Sequence, residues 1–241
     1  MPVERIAILS EVPGLAYADM VPVVAALQKQ IDHDFGPIWD VKAELCAADA
    51  AHPPPAGAWT ITVVAHVDGP AGFHHDDHGR PVAVVEYGPH WPLTVSHELL
   101  EMLVDPLGNK ILPAPSPRGD GTEVHFFVEV CDPCQERIHA YEIDGVTVAD
   151  FVTPDYYRPG ATRCSFWGSV TAPFQVLEGG YVTWHAPKSR EVWQDQWPSG
   201  GQRGHVKIGK LDDLLADKRR LREWIDQHAL GQGLSPHAQR P

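Results

Sequence analysis

Positive charge is scarce in this chain: 19 Lys and Arg stand against 32 Asp and Glu, a formal charge of −13. No long basic stripe offsets it, which argues against a nucleic-acid backbone or an anionic membrane surface as the main partner. Long hydrophobic runs are absent too, and nothing approaches the ~20 apolar residues of a membrane span. Residues 1–10 carry one Arg and only the short apolar run Ile6 to Leu9, without the h-region and cleavage site of a secretory signal. A cytoplasmic protein is therefore expected. Cysteine is sparse, with only Cys46, Cys131, Cys134 and Cys164. That is too few for a disulfide scaffold of this length, and free thiols are expected. Turn formers are abundant instead, with 21 Gly and 23 Pro, yet 43% hydrophobic residues and eight Trp make the chain too apolar for disorder. The composition describes a globular, loop-rich protein large enough to bury a core.

Arg5 to Leu9 reads as a strand, and the spacing of Val21, Val24, Ala25, Leu27 and Ile31 predicts an amphipathic helix over about 19–34. Strands follow at 41–46 and 59–66, separated by the loop of Pro53 to Gly57. A hairpin comes next, its polar tip placed at His74 to Gly79 and its return strand at Pro81 to Tyr87. The clearest helix spans 91–105, with apolar residues at 95, 99, 100, 103 and 104 and a stop at Asp105-Pro106. A loop is expected at 113–121, a strand at 124–130, and a hairpin at 141–148 turning at Asp144-Gly145. Turn-rich sequence with Trp and Phe continues to about Gly204. From Arg203 onward the chain holds eight of the 19 basic residues and five acidic ones, so the charge changes sign there. The reading is one domain over 1–202 and a basic appendage over 203–241, with a surface helix at 211–228 and a frayed tail.

The chemistry concentrates in Ser96-His97-Glu98-Leu-Leu-Glu101. On a helix, residues i and i+4 share a face, so His97 and Glu101 can clamp one cation while Glu98 lies beside them. A catalytic zinc site needs two ligands on one helical turn, a third from elsewhere, an open position, and a carboxylate that takes a proton from water. The pattern is HExxH with Glu in place of the second His. The plain alternative is a solvated acidic helix face. Against it, the polar face is narrowed by Leu99, Leu100, Met102, Leu103 and Val104, and Glu98 and Glu101 at i, i+3 repel without a nearby cation.

This constellation resembles the zincin metallopeptidase superfamily, and the element order over about residues 5–105 looks like a zincin N-terminal subdomain. A closer resemblance is to a bacterial and phage family of zincin-like proteins. It is carried by Gly72-Phe-His74, Val95-Ser-His-Glu-Leu-Leu-Glu101 with Asp105-Pro106, Glu129-Val-Cys-Asp132, and Tyr141 to Pro154, and it covers roughly residues 60–181. The implied fold is α+β and zincin-like: a mixed sheet, an active-site helix and a loop-rich β C-terminal part. The chain departs from the usual zincin pattern in having Glu101 where most have His, and no further His extends the motif along the helix.

Glu129 is the first choice for the third ligand. Asp132 is an alternative, either as ligand or as a partner orienting His97 through its free ring nitrogen, and a water-facing pair of strand-end carboxylates is the bland reading of both. Asp105 is a lesser candidate that more naturally closes the helix before Pro106. His74, His75, Asp76, Asp77 and His78 look like a metal cluster but are assigned to a solvated turn, since consecutive residues on a tip diverge. Cys131 and Cys134 have zinc-knuckle or redox spacing without a second pair. Tyr141 is a candidate donor to a developing oxyanion, with core packing as its alternative. The expected function is a metallopeptidase-like hydrolase in which zinc activates water against a peptide or related amide bond, with Glu98 as base and a peptide or protein as substrate. A His-plus-carboxylate set also suits iron or manganese. The rivals are a non-catalytic zincin-derived binding or structural protein and a non-haem iron or manganese oxidoreductase.

Overall fold

The computed structural model describes residues 3–213. They fall into two compact units, one built from residues up to 107 together with 140–149, the other from 108–139 together with the chain from 150 onward. The helix expected over 211–228 lies outside the described residues beyond its first three positions, as does the tail. Among the described residues no helix is long and apolar enough to cross a membrane.

The first unit begins with β1 (Glu4–Ser10), helix α1 (Tyr17–Lys29), a π-helical turn (Gln30–Phe35), short helix α2 (Gly36–Trp39) and β2 (Ala43–Ala48). It continues through β3 (Trp59–Val64), β4 (Gly72–Asp77), β5 (Arg80–Glu86) and α3 (Trp91–Val104). The five strands form one mixed sheet in the order β2-β1-β3-β5-β4, with every pair parallel except β4 on β5. Central strand β1 is buried on both faces at Ile6, Ala7 and Ile8, as its continuous apolar run requires in a parallel sheet. Beneath it, Ala7, Ala48 and Ala58 pack as small residues with Leu9 and Cys46. Helix α1 packs on β2 and β1, and α3 packs on β5, β4 and β3.

The expected tip at 74–79 is corrected here. Residues 72–77 pair with 80–85 as an edge strand, and only His78 and Gly79 make the turn, both at positive φ (52° and 80°). A two-residue turn of that hand suits the right-handed twist of a hairpin. The chain's last contribution to this unit is the hairpin β8 (Tyr141–Ile143) and β9 (Val146–Val148), which turns at Asp144 and Gly145 in the same geometry.

The second unit holds a five-stranded antiparallel sheet in the order β12-β11-β10-β7-β6. Its strands are β6 (Ile111–Pro115), β7 (Glu123–Phe127), β10 (Tyr181–His185), β11 (Glu191–Gln196) and β12 (Gly204–Lys210). Strand β6 occupies part of the expected loop at 113–121. As an edge strand it accommodates Pro113 and Pro115, whose missing N–H groups cost no ladder bond there. The turn-rich segment after 154 contains β10 and β11, and β12 lies inside the expected appendage, joined to the sheet along Glu191 to Gln196. The Asp150 carboxylate organises the intervening loop by accepting from the N–H groups of Phe151 (2.8 Å) and Trp167 (2.9 Å) and from the Ser169 hydroxyl.

One polar network sets the rotation of α3 within the first unit. The Ser96 hydroxyl donates to Gln30 Oε1 (2.8 Å) and accepts from the Ala149 N–H (2.9 Å), while Gln30 Nε2 donates to the Ala149 carbonyl (2.9 Å). Both side chains are fully buried. Replacing Ser96 with Ala strands an amide oxygen and a backbone N–H, so Ser96→Ala should lower unfolding free energy by about 1–3 kcal/mol in a denaturant titration.

Candidate metal centre

Helix α3 starts with Pro92 in its first turn, where the missing N–H is harmless, and ends at Asp105, whose N–H reaches the Glu101 carbonyl at 2.7 Å just before Pro106. Every residue from Val95 to Val104 is buried. Its polar residues are therefore enclosed with its apolar ones: His97 is 5% exposed, Glu98 1% and Glu101 0%. The solvated-face reading does not describe this helix.

The i, i+4 pair meets. His97 Nε2 lies 3.1 Å from Glu101 Oε2. A third side chain joins from the edge strand β4: His74, 1% exposed, has Nδ1 at 3.4 Å from Glu98 Oε2 and 3.9 Å from Glu101 Oε2. The assignment of His74 to a solvated turn is thus a correction. Pairing to the end of β4 keeps Gly72 and His74 on one face, the period of a strand, and that face is turned to α3. His78 at the true tip remains exposed. Glu98 Oε1 is buried with no hydrogen-bond partner among the described residues. Burying a carboxylate costs several kcal/mol unless a counter-charge and hydrogen bonds offset it. His97 Nε2 with Glu101 Oε2, and His74 Nδ1 with the same oxygen, are donor pairs at separations that could be shared by a divalent cation.

Glu129 and Asp132 belong to the second unit, and both are buried there, so they are not a water-facing pair. Asp132 opens a 3₁₀ turn through Cys134 that is clamped by the Leu177 N–H on the Pro133 carbonyl (3.0 Å) and by Gln135 Nε2 on the Gly179 carbonyl (2.6 Å). Gly180 passes so close that a Cβ there would meet the Asp132 and Pro133 carbonyls at 2.7 and 2.6 Å. Cys131 and Cys134 are buried free thiols. The Tyr141 hydroxyl accepts from Gln30 Nε2 (3.1 Å) and donates to Asp34 Oδ2 (2.9 Å), which holds the β8–β9 hairpin to the end of α1. These bonds tie the hydroxyl that the sequence offered as an oxyanion donor to Gln30 and Asp34.

The sequence reading quoted His74 but assigned it to a solvated turn, and it gave Ser96 and Gln30 no role. Besides the Gly72-Phe-His74 motif, the signal for His74 was the His78-Gly79 turn, which frees the residues before it to pair as a strand. Gln30 stands at the opening of a π-helical turn, a distortion frequent near functional sites but silent in apolar spacing. No protein-family model matches the chain, and neither a curated protein nor a solved structure is significantly similar to it.

Gly72 separates the edge strand from Glu98 by the width of a hydrogen. A Cβ at 72 would sit 2.7 Å from Thr94 Cγ2 and 2.9 Å from Glu98 Oε1. Gly72→Ala should therefore cost about 1–3 kcal/mol of stability as the α3 side chains shift, measurable as a lowered denaturation midpoint with an unchanged slope.

Proposed function

We propose that the chain is a metal-dependent hydrolase of the zincin type, holding one divalent ion, most naturally Zn²⁺, and cleaving a peptide or related amide bond with water. The observation that carries the reading is the buried pair of His97 and Glu101 one helical turn apart, 3.1 Å between ligand atoms, with Glu98 beside it. The five-stranded mixed sheet with its antiparallel edge strand, followed directly by α3, agrees with the zincin-like arrangement suggested by the sequence.

In this mechanism His97 and Glu101 would hold the ion, with their spacing fixed by α3, and a bound ion would supply Lewis acidity there. Glu98 accepts the proton that water loses and delivers it to the departing amine nitrogen, so water is divided between the new carboxylate and the released amine. Its Oε1 makes no hydrogen bond among the described residues and would be the oxygen that takes that proton. Glu129 or Asp132 is the further carboxylate ligand that the sequence favours. The same donor types hold Fe²⁺ or Mn²⁺, so elemental analysis of the purified chain decides the metal.

A second reading has an observation of its own. Exposures of 0–5% across His97, Glu98 and Glu101 are those of a closed site, and closed sites are usual for structural metals. The chain would then be a binding or structural protein stabilised by its ion.

Glu98→Gln separates the two, because the amide keeps the shape but cannot accept the proton. Under the hydrolase reading the variant retains a full equivalent of metal while cleavage of a peptide library falls by roughly 10²-fold or more. Loss of metal would make Glu98 a ligand. A metal-loaded wild type that cleaves nothing would leave the structural reading.

A further inference from the structure

The antiparallel sheet of the second unit is joined unevenly. Strand β6 is matched with β7 over five positions and β10 with β11 over five, whereas β7 and β10 meet at only two, Phe126 opposite Trp184 and His125 opposite His185. Successive side chains of a strand alternate between faces, so the aromatic pair lies on one face of this seam and the histidine pair on the other. We propose that the two histidines make the seam acid-sensitive: protonation separates the β6–β7 hairpin from the β10–β11–β12 group, while each group stays paired within itself.

His185 is 8% exposed, and its ring lies 4.9 Å from that of His125, nearly perpendicular to it at 87°. Like charges directly opposite each other on one face of an antiparallel pair repel. Phe127 closes a further side, its ring 5.6 Å from that of His185. The outer cross-strand neighbours are Pro113 on β6 and Val192 on β11, neither of them titratable. Glu123, two residues from His125 on the same face of β7, is exposed. The remaining charged neighbour is Arg190 in the β10–β11 turn, itself paired with Asp212 at 2.8 Å. Among the described residues no carboxylate forms an ion pair with His185. Burial pushes the His185 imidazole below its ordinary range, charge on His125 and on Arg190 adds to this, and only the Ala186 backbone acts the other way. His185 is therefore neutral in the closed sheet near neutral pH, and it takes up a proton more readily once the seam is open. A base of this kind contributes stability that is lost as pH falls below its ordinary value of about 6.5. The loss falls on the joint with the fewest backbone pairings in the sheet.

The test is amide hydrogen exchange of the full-length chain, for wild type and His185→Gln, read by mass spectrometry at about pH 7.5 and about pH 5.5 and corrected for the intrinsic pH dependence of exchange. Preferential uptake of one proton by the open form raises the opening constant by up to about tenfold over that range. In wild type, exchange across 124–127 and 182–185 is expected to rise by more than about twofold relative to 192–196, and in His185→Gln by less than in wild type. A smaller relative rise in wild type, which includes loss of the whole sheet at once, overturns the proposal. So does a rise in folded His185→Gln as large as that of wild type. Should His185→Gln not fold, NMR titration of the wild-type imidazoles decides: His185 titrating below about 6.5 supports the proposal, and His185 titrating at or above it overturns the proposal.

Discussion

Two glutamates one helical turn apart are enclosed in an apolar helix, and the first unit is arranged around that constraint. Glu98 and Glu101 lie among Leu99, Leu100, Met102 and Leu103, all buried with them. Isolated carboxylates in such surroundings cost far more than any single packing contact returns. The protein brings an imidazole to each: His97 from the same helix and His74 from the neighbouring strand. One divalent cation would balance both carboxylates with the imidazoles neutral, the form in which histidine binds metal. Repulsion between the two glutamates, visible as a problem in the sequence, becomes under this reading the reason the site attracts a cation.

Such a site depends on angles more than on composition, and three devices set them. The Ser96–Gln30–Ala149 network fixes α3 about its own axis, so that position 97 faces the same way in every molecule. The two-residue turn at His78-Gly79 fixes the register of β4, and a slip of one residue would turn His74 outward and Phe73 inward. The β8–β9 hairpin, returned to the first unit after the chain has visited the second, packs against both α1 and α3. Each device is a locally determined feature, a buried hydroxyl, a turn or a tyrosine, whose effect is to orient a side chain elsewhere.

Legibility in the sequence follows the same division. Helix α3 was readable because its apolar residues repeat at helical spacing, and the Asp144-Gly145 hairpin because that turn demands positive φ. The i, i+4 pairing of His97 with Glu101 follows from helix geometry alone. The burial of His74 was not readable, because burial of a polar residue leaves no mark on hydrophobic alternation, and a run of His and Asp has the composition of a loop. Strand β10 escaped for the opposite reason: all five residues from Tyr181 to His185 are buried, so no polar face alternates with an apolar one. Pro113 and Pro115 hid β6, since prolines argue against a strand except at a sheet edge, and edge position is a property of topology.

The two glutamates on α3 are chemically alike but differently surrounded, and that difference separates their roles. Glu101 Oε2 is drawn between two imidazoles, the surroundings of a ligand. Glu98 meets His74 through Oε2, while its Oε1 faces Gly72. Any larger residue at 72 would cover that oxygen. Gly72 is not among the residues with positive φ, so its lack of a side chain answers a steric need and not a conformational one. The glycine lets the edge-strand backbone pack directly against α3, where a Cβ would meet Thr94 Cγ2 at 2.7 Å. Under the proposed hydrolytic reading the two carboxylates would divide the work, with Glu101 as ligand and Glu98 as base.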